Sequence, residues 1–239
     1  MRYNHCGLFA FLAAFTLISS AGHGSAANYT APAGCQLTMT VQNRGCTVSQ
    51  HYVCTSQPEG WQNSVYMDRD GAYHRSTIDA ETRWVESENY RSGIVDRLVP
   101  NAQDDASFST LLQTGRDDFD FWTKSNDGTR LRHQGFDRLT GETVTINGQT
   151  LERTEFQLTT SDSQGQVLIQ RQGNQFISRE FGRFFGGVET NRDWTGAKTQ
   201  TDDSPMLFSF PGDAGFGSTT PQFDCDQLLT QITQERAAS

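Results

Sequence analysis

ETVTINGQTLERTEFQL, residues 142–158, is two β-rich runs around Asn147-Gly148. Asparagine followed by glycine tolerates positive φ at both centres of a tight turn whose twist matches paired strands, so the stretch predicts a β-hairpin. The same punctuation recurs outward from it. WQNSVYMDRDGAYHRSTI (61–78) turns at Asp-Gly, and SDSQG (161–165) leads into QVLIQRQ (166–172). Gly173-Asn174 reads as another turn into QFISREF (175–181), and RFFGGVE (183–189) as a further strand. ETRWVES (81–87) and GIVDRLV (93–99) are short apolar runs of the same kind. Roughly ten to twelve strands result, with few connections long enough to cross over. The predicted fold class is therefore mainly β. It is a single antiparallel curved sheet, a half-barrel or incomplete barrel, with one short packed helix and a C-terminal helix.

The short helix is predicted from about Asp105 to Thr114. Asp104 or Asp105 serves as N-cap, Phe108, Leu111 and Leu112 form one face, and Gly115 stands at the C-cap. The C-terminal helix places Leu228, Leu229 and Ile232 on one stripe. Residues 195–222, rich in Gly, Pro, Ser and Thr, read as irregular, with one edge strand at Met206–Phe210.

Residues 1–27 have the form of a secretory signal peptide: Arg2, an apolar run from Leu8 to Ile18, then small residues up to Ala27. That run is about half the roughly 20 residues a spanning helix needs. Residues 28–239 are then a single β-rich exported domain, periplasmic or secreted, and not membrane-spanning. The formal charge of the chain is −9, which argues against nucleic acid as a partner.

Cys35, Cys46, Cys54 and Cys225 lie beyond the signal. An even number in an exported chain predicts disulfides, and no C-x-x-C or histidine pair suggests zinc. Leu37, Met39 and Val41 alternate before QNRG (42–45), and Val48, Tyr52 and Cys54 share a parity after it. If Val41 faces Val48, then Cys35 faces Cys54, close enough to be bridged. That pairing leaves Cys46 for Cys225.

TGRDDFDFWTKSNDGTRLRHQG (114–135) collects aspartates, aromatics and His133. A period of two puts Phe119 and Phe121 on one face and Asp118, Asp120 and Trp122 on the other. Arg130 and Arg132 follow on the neighbouring strand. This reads as a solvated sheet face with cross-strand charge pairs, not as a metal centre. The other histidines beyond the signal, His51 and His74, stand in separate strands. No nucleophile elbow, phosphate loop or dinucleotide fingerprint is present, so neither a catalytic residue, a metal nor a cofactor is assigned.

REFGRFFGGVETNRDW (179–194) has two readings: a core strand with exposed arginines, or a pocket wall. In the second, Phe181, Phe184, Phe185 and Trp194 line the pocket and Arg179, Arg183 and Arg192 stand at its mouth, suited to a carboxylate or phosphate headgroup.

The signal peptide, the early cysteines, TGRDDFDFW (114–122), GFDRLTGE (135–142) and GNQFISREFGRFFGG (173–187) together resemble uncharacterised exported proteins of alphaproteobacteria. That group implies no activity. The expected architecture is also distantly similar to the half-barrel lipoprotein carriers of the bacterial envelope. The leading functional expectation is a non-enzymatic binding module for a small apolar, lipid-like or amphipathic ligand. The alternatives are an envelope interaction or structural protein and a periplasmic hydrolase.

Overall fold

A computed structural model describes residues 28–226. The predicted signal peptide and the apolar stripe of the predicted C-terminal helix lie outside the described residues. A first hairpin, β1 (Cys35–Asn43) and β2 (Thr47–Cys54), leads to β3 (Gln62–Asp68), β4 (Gly71–Ile78), β5 (Trp84–Asn89) and β6 (Ile94–Leu98). A helix, α1 (Phe108–Thr114), precedes β7 (Arg116–Ser125), β8 (Arg130–Ile146), β9 (Gln149–Asp162) and β10 (Val167–Ser178). Then come β11 (Arg183–Phe185), β12 (Val188–Asp193), β13 (Lys198–Asp202) and β14 (Pro205–Ser209).

These strands form one 14-stranded sheet, ordered β13-β12-β10-β9-β8-β7-β6-β5-β4-β3-β2-β1-β14, with β11 on β10. Neighbours in the sheet are mostly neighbours in the chain because tight turns leave no slack for a crossover. The edge strands β13 and β14 are separated only by Asp203 and Ser204. The chain itself therefore spans the seam, where Arg44 N–H donates to the Ser204 carbonyl at 2.9 Å and Asp203 N–H to Gly187 at 3.0 Å. The result is a curved antiparallel sheet rolled into an incomplete barrel.

Glycines permit the roll. A Cβ on Gly135 would stand 1.9 Å from the Gln157 carbonyl oxygen, and one on Gly173 2.1 Å from that of Val188. Only a residue without a side chain allows such close passage of neighbouring strands. Gly173-Asn174 is accordingly not the turn its composition suggests. It lies inside β10, which runs unbroken across both residues.

Both predicted disulfides are present, Cys35–Cys54 and Cys46–Cys225. The register that led to the first is off by one near the turn. Cys35 faces Cys54 and Leu37 faces Tyr52, but a bulge between Leu37 and Met39 sets Val41 opposite Ser49. The bulge has a structural consequence. Leu37 packs with Val48, Tyr52, Val65 and Met67 on the outer face, whereas Met39 and Val41 turn inward to Leu151, Phe176, Phe185 and Phe208. Tyr29 and Ala31 cover the outer cluster. Each large side chain so buried contributes about 1.5–3 kcal/mol.

The helix starts later than its acidic residues suggest. Ser107, not Asp104 or Asp105, is the N-cap and accepts from Thr110 N–H, while Gly115 closes the helix at φ 83°. Phe108 and Leu111 pack on Ile177, Leu139 and Phe184. Segment 195–222, read as irregular with one edge strand at Met206–Phe210, supplies that strand as β14 and a second one, β13, whose polar composition KTQTD suits an edge.

Candidate ligand-binding cavity

Alternation along each strand assigns the inward side chains. One row crosses the sheet in register: His51 faces Ser64, Ser64 faces Ser76, Ser76 faces Ser87, Ser87 faces Asp96 and Asp96 faces Ser125. Ser125 Oγ donates to the Asp96 carboxylate. Small hydroxyls at these positions leave the interior open where larger side chains would fill it.

The space they leave is a cavity of about 530 Å³. His51, His74, Ser76, Ser87 and Asp96 form its polar part, and Trp84, Phe119, Phe121, Phe156, Phe184 and Phe185 its aromatic part. Trp84 meets Phe121 edge-on at 5.5 Å, and Phe121 stacks on His133 at 5.0 Å. Such contacts fix the ring orientations of this wall. Within the same cavity Arg171 and Glu189 form a bidentate ion pair at 2.8 and 2.7 Å.

The three histidines, scattered in sequence, all line this cavity. Each is held toward its neutral form by burial. His133 is lowered to about 4; its ring nitrogens meet Thr123 at 3.0 Å and Thr160 at 3.1 Å. His51 lies well below its ordinary value, with the Arg183 charge adding to burial. His74 is also lowered. Asp137 moves the opposite way, to about 7, through burial and then the charge of Asp117.

The Phe- and Arg-rich run divides. Arg183, Phe184 and Phe185 line the main cavity. Phe184 and Phe185 are successive strand residues, so Phe184 packs on Phe108 and Phe185 on Phe208. Phe181 lies instead in a second cavity of about 450 Å³, with Trp61, Phe210 and, again, Arg183. Arg179 is exposed and pairs with Glu152. Trp194 is 69% exposed and lines neither cavity.

Stretch 114–135 is sheet whose two faces differ. Outside, Arg132 grips Asp120 at 2.8 and 2.6 Å and Arg116 meets Asp118 at 2.6 Å. Inside, Phe119, Phe121 and His133 line the cavity. Among the described residues, no group of three or more His, Cys, Asp or Glu is placed to hold a metal ion. None of their helices is long and apolar enough to cross a membrane.

Trp84, the serine row and Asp137 had no local signal as site residues. Counting outward from the 68–71 turn would set Ser64 opposite Arg75; a bulge between Tyr66 and Met67 sets it opposite Ser76 instead, which is why the row is not legible from the turns. Fold and site together define an open antiparallel barrel with an aromatic and polar interior. Comparison with protein families, curated proteins and solved structures finds no match for this chain.

Proposed function

We propose that this protein is an exported, periplasmic binding module that holds an amphipathic small molecule inside the rolled sheet without transforming it. The observation that carries the reading is the cavity of about 530 Å³ with aromatic and polar sides. That size is typical of small-molecule sites, and its two-sided lining suits a ligand with an apolar body and a polar end. The two disulfides fit an oxidising, extracytoplasmic compartment.

The test is titration with a neutral, polarity-sensitive naphthylamine dye. The protein is expected to take up one dye with enhanced fluorescence. Ser87→Trp, which fills the interior from the serine row, is expected to abolish uptake while thermal unfolding stays cooperative. Uptake unchanged in Ser87→Trp would remove the cavity as the binding site.

A hydrolase reading has one observation in its favour. Asp137, its carboxyl raised to about 7, shares the cavity with the three histidines, and a general acid works best with a pKa near the ambient pH. It predicts turnover of an ester or glycoside that Asp137→Asn eliminates. Stoichiometric binding with no product formed supports the carrier instead.

A further inference from the structure

Arg183 is 4% exposed, yet it belongs to none of the ion pairs among the described residues. Arg44, Arg75, Arg83, Arg132 and Arg171 each meet a carboxylate. The partners of Arg183 are neutral: Ser64 Oγ accepts at 2.8 Å, Gln62 Oε1 at 3.3 Å, and the Tyr66 side chain also hydrogen-bonds it. Its Nε–H has no acceptor. A guanidinium carries five N–H donors, so part of its capacity, the Nε–H included, is unused in the protein alone. A buried cation without a counter-charge is costly, and burial lowers the Arg183 pKa from its ordinary value with no carboxylate acting against it.

The surrounding hydrogen bonds keep the site positive. Ser64 Oγ accepts from Arg183 and so turns its own proton toward His51 Nδ1, 3.4 Å away. His51 is then protonated on Nε2, which donates to Ser49 Oγ at 2.9 Å. Ser49 is left with a hydroxyl proton to donate, and it lines the main cavity. The acidic groups of that cavity stand elsewhere: Asp96 is engaged by Ser125 and Glu189 by Arg171, while burial raises the carboxyls of Asp137 and Asp203 and so favours their neutral forms. Arg183 and His51 line both cavities and form the wall between them.

We infer that Arg183, held in place by Ser64 and joined by the Ser49 hydroxyl, is an anion subsite, and that the molecule held by this protein carries a carboxylate or comparable anionic end seated there. This rests on the binding reading above and names the charge of the ligand. The apolar body then lies along Phe185 and the aromatic wall, and the anion supplies the counter-charge Arg183 lacks.

The experiment compares dodecanoate with dodecanol, equal in chain and different in charge, by calorimetric titration at neutral pH. The wild-type protein is expected to bind dodecanoate about tenfold to a hundredfold more tightly, the range for hydrogen bonds to a charged group. Arg183→Met is expected to keep dodecanol binding and lose the preference. Its unliganded melting temperature should equal or exceed that of wild type, because the unpaired charge is gone. Equal wild-type affinity for both probes overturns the anion subsite and leaves the cavity reading standing. Binding of neither probe overturns both. The wild-type comparison decides the matter even if Arg183→Met does not fold.

Discussion

Asp117 and Asp137 face each other across the β7–β8 ladder on the inner side of the sheet. Burial raises both carboxyls, Asp117 to about 6 and Asp137 to about 7; the Asp117 charge adds to the shift of Asp137, and the charges of Asp104, Asp118 and Glu81 add to that of Asp117. Asp117 also accepts the Ser107 N–H at 2.8 Å, which offsets part of its burial and ties the sheet to the helix cap.

The sign of their effect on stability follows from the direction of the shifts. A folded pKa above the ordinary aspartate value of about 3.9 means that the folded state holds protons the unfolded state releases. That contribution is fully present below about pH 4 and is lost as pH rises through the folded values of about 6 and about 7. Asp137→Asn is therefore expected to raise stability by about 2–4 kcal/mol at pH 8 and by little at pH 4. Urea unfolding at the two pH values measures it. A gain of equal size at both would show that the carboxyl is not held protonated.

Gly135→Ala is expected to destabilise by about 2–4 kcal/mol, since the new methyl group would meet the Gln157 carbonyl oxygen of the adjacent strand. Gly148→Ala lies at a turn where a Cβ would meet nothing within 4 Å, but φ is +81°. It should cost about 1 kcal/mol from backbone strain alone. Denaturant midpoints for the two variants separate close approach from turn conformation.

The disulfides differ in the length of chain they close, with separations of 19 for Cys35–Cys54 and 179 for Cys46–Cys225. Loop-closure entropy assigns about 3 kcal/mol to the first and about 5 kcal/mol to the second. Paired Cys→Ala variants, Cys46→Ala with Cys225→Ala and Cys35→Ala with Cys54→Ala, are expected to lose stability in that order. The longer bridge fastens the segment after β14 to the first hairpin, where Gln42 and Gln50 bond the Thr220 and Ser218 carbonyls at 3.1 and 2.6 Å. Its loss should also increase proteolysis around 215–224.

What the sequence disclosed follows the range of the forces involved. Turn chemistry and period-two alternation are local, so Asn147-Gly148, the faces of 114–135 and the Cys35–Cys54 bridge were legible. The bulge at Leu37–Met39 was not, because one extra residue changes which face is buried without changing composition. Gly173-Asn174 misled because glycine serves a turn and a close strand approach equally well. The cavity was least visible, since His51, His74 and His133 meet only through the roll of the whole sheet. Arg183 was marked from sequence as a possible headgroup contact, but its burial without a carboxylate is a property of the fold.

The central claim is that the interior holds a ligand, and native mass spectrometry of protein purified from a periplasm tests it most directly. The account predicts a reproducible extra mass, released by solvent extraction and absent from Ser87→Trp. Negative-ion analysis of the extract should show an amphipathic anion. A bare protein mass, together with no uptake of either dodecanoate or dodecanol by the purified protein, would contradict it.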